Sequence, residues 1–390
     1  MKYNFDKIID RTDTSCEKHS FFAEHGMAED TLGMWVADMD FETAPEVKAR
    51  IEEVAAHGIY GYTGKKEDYY RAVVNWFEKR FSWKIQKEWI LTTPGVVFAL
   101  AAAVRAYTEK GDAVLIQRPV YYPFSNVINN NQRRLINNPL VLEGGRYVMD
   151  YDDMEKKIID NQVKLFILCS PHNPVSRVWT KEELLRAAEI CLRHDVLMVA
   201  DEIHCDFVME GFHHTSFGTL GEEIANRAVI CTAPSKTFNL AGLQLSNIII
   251  PNRKLRKAFI TELKKTACYG ANIFGQMACQ AAYEKGADWL EALKVYLKGN
   301  ADDIREFLAG YLPKVHLVEP EGTYLLWMDF RDYGYTPEQL QEIMLKKAKL
   351  WLDEGVMFGE EGAGFMRMNI AAPRSVIEQA MQRIYQAFGE

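Results

Sequence analysis

Lys236 stands in APSKTFNLAGL (233–243), directly after the apolar run AVICT, and Asp201 closes the apolar run VLMVAD (196–201). A lysine at the end of one buried strand, with an acid at the end of the preceding one, is the pairing that a Schiff-base lysine and the partner of a heterocyclic cofactor require. Most lysines are solvated loop residues. Lys236, however, follows Ser235 and precedes TFNLAGL rather than a charged run. Desolvated next to cationic groups, such an amine has a lowered pKa and attacks an aldehyde. Asp201 follows apolar residues, where an ionised carboxylate is costly without a cation or hydrogen-bond partners. A helix N-cap aspartate after a strand accounts for the same residue equally well.

Asn173 follows the run KLFILCS (164–170), so Asn173, Asp201 and Lys236 each fall at or just past the end of a predicted strand. Ligands of doubly wound sheets bind outside the carboxyl ends of the strands, so the three side chains are expected to converge on one crevice. TTPGVVFALAAAV (92–104) sets Pro94 and Gly95 before an alanine-rich helical run. Backbone amides at such a helix start suit a phosphate, although a turn before an ordinary buried helix explains the residues too. PVYYPF (119–124) offers Tyr121 and Tyr122, to stack on a planar ring or to pack as loop aromatics. In FMRMNI (365–370), alternation puts Arg367 and Asn369 opposite Met366, Met368 and Ile370. Arg367 is either a bidentate ligand for a substrate carboxylate or a solvent-facing edge residue. His204, His213 and His214 lie near Asp201 and Glu210, but they match no metal-ligand spacing, and neither HExxH nor paired CxxC occurs. No metal is expected.

These residues need a frame, and the chain is long enough to supply it. At 390 residues it exceeds the size at which one core stops growing, so two domains are expected. Short β-branched runs, AVLIQ (113–117), KLFILCS, VLMVAD, AVICT (228–232) and SNIII (246–250), are apolar on both faces, as strands covered by helices on each side are. KEELLRAAEICLRH (181–194) has helical spacing between them. The alternation predicts an α/β domain with a mostly parallel sheet. After about residue 286 the pattern changes to a long helix, the strand-like TYLLWMDF, a helical stretch (337–353), a strand GFMRMNI and a terminal helix. That order suits a smaller α+β domain, giving a large domain over 45–285 and a small one from 1–44 with 286–390. The net charge of −8 argues against nucleic acid and anionic lipid as partners. No apolar run reaches the ~20 residues of a spanning helix, and the charged N-terminus resembles neither a secretory signal nor a transit peptide. A cytoplasmic protein is expected, with seven cysteines that read as reduced and mostly buried thiols.

With Asn173, Asp201 and Lys236 in this order, the chain resembles fold-type I pyridoxal-5′-phosphate enzymes of the class I/II aminotransferase superfamily. More narrowly it resembles the cystathionine β-lyase and cystalysin branch, through VADMDF (36–41), GYTG (61–64), PGVV (94–97), PVYYPF, CSPHNPVSRVW (169–179), DEIHCD (201–206), APSKTFNLAG (233–242), EGTYLLWMDF (321–330) and RMNIAAP (367–373). The resemblance covers nearly the whole chain. It implies an aspartate aminotransferase-like α/β fold: a large domain whose mostly parallel sheet is flanked by helices, and a smaller α+β domain. It makes Lys236 the Schiff-base lysine and Asp201 the partner of the pyridine nitrogen. Tyr121 and Ile203 are implied on the two ring faces, with Asn173 and His204 near the phenolic oxygen. The phosphate is implied at the amides of Gly95, Val96 and Val97, at Ser235, and at Tyr62 of a neighbouring subunit, hence a homodimer. Arg367 is implied to bind the substrate carboxylate, with Tyr122 near the reacting atoms.

Two departures matter. Many relatives have glycine where this chain has Ser176, so that turn is expected to differ slightly. Aspartate-type aminotransferases usually have tyrosine where His204 stands, and an arginine near the position of Gln244. Both differences favour the lyase branch. The implied chemistry begins when a small amino-acid substrate displaces Lys236, whose freed amine removes the α-proton. A thiolate on the β-carbon then leaves, giving pyruvate and ammonia. Transamination on the same scaffold is the alternative, and a cofactor-bearing protein that chiefly binds another protein is a third reading.

Overall fold

The computed structural model describes residues 3–268 and 270–389. Seven strands form the main sheet: β1 (Ile90–Thr93), β2 (Ala113–Ile116), β3 (Arg134–Asn137), β4 (Leu165–Cys169), β5 (Leu197–Asp201), β6 (Ala228–Thr232) and β7 (Ser246–Ile249). Their spatial order is β1-β7-β6-β5-β4-β2-β3. β7 alone runs against its neighbours β1 and β6; the other pairings are parallel. Six strands therefore point their carboxyl ends at one edge. The strands expected at 113–117, 164–170, 196–201, 228–232 and 246–250 are all present, whereas β1 and β3 were not anticipated. β3, RLIN, is a half-exposed edge strand, so it lacks the apolar run that marks a central one.

The two-faced apolar runs are explained by two cores. Leu165, Ile167 and Cys169 of β4 pack into one cluster with Ala99, Leu100 and Ala103 of the helix Val96–Tyr107. Phe166 and Leu168 pack into the other, with Leu184, Ala187 and Cys191 of the helix Lys181–Arg193. The same split separates Val199 from Met198 and Ala200 in β5, and Val229 and Cys231 from Ala228 and Ile230 in β6. The period of two sends alternate side chains to opposite faces, and each large one buried contributes about 1.5–3 kcal/mol. Thr180 caps the helix Lys181–Arg193, in a capping box with Glu183.

The helix Ala287–Tyr311 leads to a four-stranded antiparallel sheet of β8 (His316–Leu317), β9 (Leu325–Asp329), β10 (Asp353–Glu354) and β11 (Phe365–Asn369), ordered β8-β9-β11-β10. The helix expected over 337–353 is shorter. It runs over Pro337–Glu342, continues as a π-turn over Ile343–Lys347, and gives way to the strands Leu350–Trp351 and Asp353–Glu354. The N-terminal segment does pack here, with Leu32–Gly33 pairing in parallel with Leu350–Trp351. Among the described residues no helix is long and apolar enough to cross a membrane. The cysteines are all free, and five of the seven are buried.

Candidate active site

Five strand ends build the site. β1 delivers Gly95, β2 Tyr121, β4 Asn173, β5 Asp201 and β6 Lys236 to the same edge of the sheet, because these strands run in one direction. Asp201 sits mid-sheet, in register with Cys169 on one side and Cys231 on the other. Lys236 lies in the one-turn helix Pro234–Thr237, which is fixed by the Thr237 hydroxyl donating to Asp206 at 2.8 Å. Together with Ile203, His204, Ser235, Val96 and Val97 they line a cavity of about 190 Å³.

The charges in this cavity are far from their solution behaviour. Asp201 accepts the Ile203 backbone N–H at 3.1 Å, and burial raises its carboxyl pKa to about 7, the Ile203 amide and Lys236 pulling it back. Burial and then the Arg367 charge lower the Lys236 amine, against the opposing Asp38 and Asp201, to about 8. Its Nζ donates to the Ala37 carbonyl at 2.7 Å. His204 is held well below the usual histidine range by burial, and then by Lys236 and Arg367, so its imidazole is neutral. His204 Nδ1 has no hydrogen-bond partner among the described residues.

Arg367 is buried on β11, not a solvent-facing edge residue. Its Nη1 donates to Asn173 Oδ1 at 3.0 Å and its Nη2 to the Trp35 carbonyl at 2.7 Å and to Asp353 Oδ2. Arg367 is thus tied through Asn173 to the cavity rather than lining it. Tyr122 stands outside the lining too, its ring 5.3 Å from that of Tyr121 and 6.4 Å from that of Phe358. Tyr62 is 113% exposed and far from filling any role in its own chain's cavity. Sequence reasoning missed Trp35, Ala37, Tyr324 and Asp353. Tyr324 donates to the Ala37 carbonyl at 3.0 Å, and Asn369 to the carbonyls of Val36 and Asp38 at 2.6 and 2.5 Å, which fixes the segment VADMDF so that Ala37 lines the cavity. Backbone carbonyls carry no side-chain signal; the motif VADMDF itself was the only pointer.

The donor set fits pyridoxal phosphate on grounds internal to the chain. Asp201 is a buried acceptor with capacity to spare, which a protonated ring nitrogen would satisfy. A Cβ built on Gly95 meets no protein atom within 4 Å, so protein packing does not demand glycine there. The first amides of the helix Val96–Tyr107 open onto the same space, as an anion requires. Gln244 also lines the cavity, at the place where aspartate-type relatives are expected to have arginine. A second cleft, larger at about 600 Å³, is lined by the segment 205–214. Size does not make it the reaction site, since its buried carboxylate, Asp206, is already matched by Arg80 at 2.8 Å and Thr237. Among the described residues no group of three or more His, Cys, Asp or Glu side chains is arranged to hold a metal.

This frame is shared with known proteins. Residues 29–384 match the family "Aminotransferase class I and II". The chain belongs to that family, and its fold is the aspartate aminotransferase-like fold type I. It is 43% identical over 381 residues to "Cystathionine beta-lyase PatB" of Bacillus subtilis, covering 98% of each chain. It is 31% identical to "Protein MalY" of Escherichia coli, covering 99% of this chain and 98% of that one. Among solved structures, cystalysin from Treponema denticola, which contains pyridoxal 5′-phosphate, superposes with a TM-score of 0.96 at 37% identity over 99% of both chains. The pyridoxal-phosphate-bound C-S lyase of Staphylococcus hominis gives 0.93 at 35% identity, covering 100% of this chain and 98% of that one.

Proposed function

We propose that the chain is a pyridoxal-phosphate-dependent carbon–sulfur β-lyase, acting on cystathionine, cystine or cysteine-like amino acids. The observation that carries this reading is one cavity holding a lysine amine lowered to about 8 and a buried carboxylate, in a chain 43% identical to a cystathionine β-lyase over its full length. When bound, the cofactor supplies an electron sink for the α-carbon of an attached amino acid.

The residues then divide the work. Lys236 Nζ would hold the cofactor and, as a free amine, would take the substrate's α-proton; its pKa of about 8 in the cofactor-free chain favours the neutral amine that this needs. The Asp201 carboxylate holds a proton on the ring nitrogen. Asn173 and the neutral His204 would orient the ring oxygen, and Tyr121 and Ile203, which line the same cavity, would hold the ring. The amides of Gly95, Val96 and Val97 and the Ser235 hydroxyl hold the phosphate. Arg367 takes the substrate carboxylate, and Tyr122, whose phenol burial keeps protonated, stands beside the leaving group. Tyr62 completes the phosphate site of a neighbouring subunit in a homodimer, consistent with an exposed loop that also presents Ile59 and Tyr60. Residues 45–285 form the large domain, and 1–44 with 286–390 the small one; the two sheets fall on either side of that division, at 90–249 and 316–369. The enzyme acts in the cytoplasm.

The test is incubation of the holoenzyme with cystathionine, without a keto acid, while pyruvate and free thiol are measured. Equal amounts of both are expected. Amino transfer on adding a keto acid, with no pyruvate before it, would move the reading to an aminotransferase. No reaction with any amino acid despite bound cofactor would favour a binding role.

A further inference from the structure

Arg367 is a carboxylate ligand whose charge is already half spent. Asp353 on β10 lies directly across from it in the β10–β11 register, and the two side chains form a buried ion pair, 3% and 4% exposed. Both protons of Nη2 are engaged, by Asp353 and by the Trp35 carbonyl, and Nη1 gives one to Asn173. What remains is the buried Nε, which has no hydrogen-bond partner among the described residues, and the second proton of Nη1. The Phe358 ring, 4.9 Å from Cζ, covers the guanidinium. Asp353 also acts on the phenols of Tyr121 and Tyr122, so its charge reaches the space beside the reacting atoms. The groups facing it are Arg367, Tyr121 and Tyr122, with Glu354 next in the chain. Arg367 is the one cation among them.

We propose that Asp353 is a specificity-determining residue: it balances Arg367 so that the site accepts one substrate carboxylate and rejects a second. Arg367 with Asp353 is neutral, and the α-carboxylate of a substrate makes the set singly negative. A further carboxylate on the side chain would enter a buried site already carrying excess negative charge, where repulsion is poorly screened. Amino acids whose β-substituent is neutral or zwitterionic, as in a thioether or a disulfide, escape that repulsion. Dicarboxylic amino acids do not. The same ion pair holds the guanidinium in place, so Asp353 makes selectivity and orientation one device. This inference rests on Arg367 being the carboxylate site.

The holoenzyme, wild type and Asp353→Asn, is assayed for competitive inhibition by butyrate and by succinate. The amide keeps the shape and removes the charge. The ratio of the butyrate to the succinate inhibition constant is expected to rise on the order of tenfold in Asp353→Asn, since only the diacid is relieved of the second repulsion. A ratio unchanged within about twofold overturns the proposal, even if both acids bind more tightly. Arg367→Gln separates the underlying reading: loss of inhibition by both acids upholds Arg367, and retained inhibition sinks it, whatever Asp353→Asn does. Should Asp353→Asn fail to fold, judged by loss of the cofactor's visible band, the wild type decides alone. Succinate must then inhibit more weakly than butyrate, and succinate binding as tightly or more tightly overturns the proposal.

Discussion

In the cofactor-free protein Lys236 is expected to titrate with a pKa of about 8 instead of 10.5. Burial is the first cause and the Arg367 charge the second, with Asp38 and Asp201 opposing them. At pH 7 a pKa of about 8 leaves about one amine in eleven neutral, against about one in three thousand for an ordinary lysine, a gain of about 300-fold in nucleophile. Trace acetic anhydride, applied from pH 6 to 11, reports that fraction directly, because only the neutral amine reacts. Acetylation of the Lys236 peptide, read by mass spectrometry against the exposed Lys110, should reach half its maximum near pH 8 and level off above about 9. An ordinary lysine amine, with a pKa of about 10.4, would still be climbing about tenfold per pH unit at that point. Reactivity of Lys236 that climbs as steeply between pH 9 and 10 would refute the argument from burial. The neighbours give the sign independently: Arg367→Gln removes a cation and should move the midpoint up, whereas Asp38→Asn removes an anion and should move it down. Stability follows from the same shift. A folded pKa below the unfolded one stabilises the fold above 10.5, and that contribution is lost as pH falls through about 8. Cofactor-free Lys236→Met should therefore melt above the cofactor-free wild type at pH 7, with an advantage that shrinks toward pH 10.5.

Three further outcomes are expected. Asp201→Asn should retain cofactor on Lys236 while kcat falls on the order of 10²–10³-fold, the usual effect of removing one preorganised charge; a loss below about fivefold, measured as pyruvate release, would remove Asp201 from the electron-sink role. Tyr62→Phe should weaken cofactor binding by about tenfold or more, since a hydrogen bond to a charged group is worth about 1.5–3 kcal/mol, and an unchanged Kd by fluorescence titration would end the case for a shared site. Gly322→Ala should cost about 1–3 kcal/mol in urea unfolding, because its Cβ would lie 2.6 Å from Val178 Cγ2 and 2.9 Å from the Phe207 carbonyl; a variant as stable as wild type would mean that the chain there yields more readily than its contacts imply.

Lys236, Asp201 and His204 are each shifted away from the charged form by the same desolvation; this suits a neutral amine at Lys236 and a neutral imidazole at His204, whereas Asp201 needs a cation beside it to stay a carboxylate. Without cofactor, that desolvation is a cost. A cationic ring nitrogen beside Asp201 and a covalent bond at the Lys236 amine would offset that cost at both groups.

The amino-acid sequence alone was enough for β2 and β4–β6, because strands covered on both faces must be apolar at every position, and their alternate residues do divide between two cores. It was enough as well for Asp201, Asn173 and Lys236, since a polar side chain that ends such a run has to open at the sheet edge. Ser176 is a smaller case: its φ of +58° is the left-handed conformation that glycine adopts without a steric cost. Strand direction was not legible, and β7 proved antiparallel. The stretch 337–353 read as one helix, because the apolar spacing of ILWL-type residues near 350 does not distinguish a last helical turn from two short strands that pair elsewhere. Arg367 had two readings on period alone, edge or ligand, and only the strands on both sides of β11 and the N-terminal segment across it buried the guanidinium. Asp353 fell at the end of the 337–353 stretch and was given no role. Its pairing with Arg367, like the Ala37 carbonyl on Lys236, joins residues far apart in the chain through backbone geometry. Residue types and local period therefore determined which groups could react, while tertiary structure decided which charges meet, because desolvation and ion pairing depend on distances that no local pattern encodes.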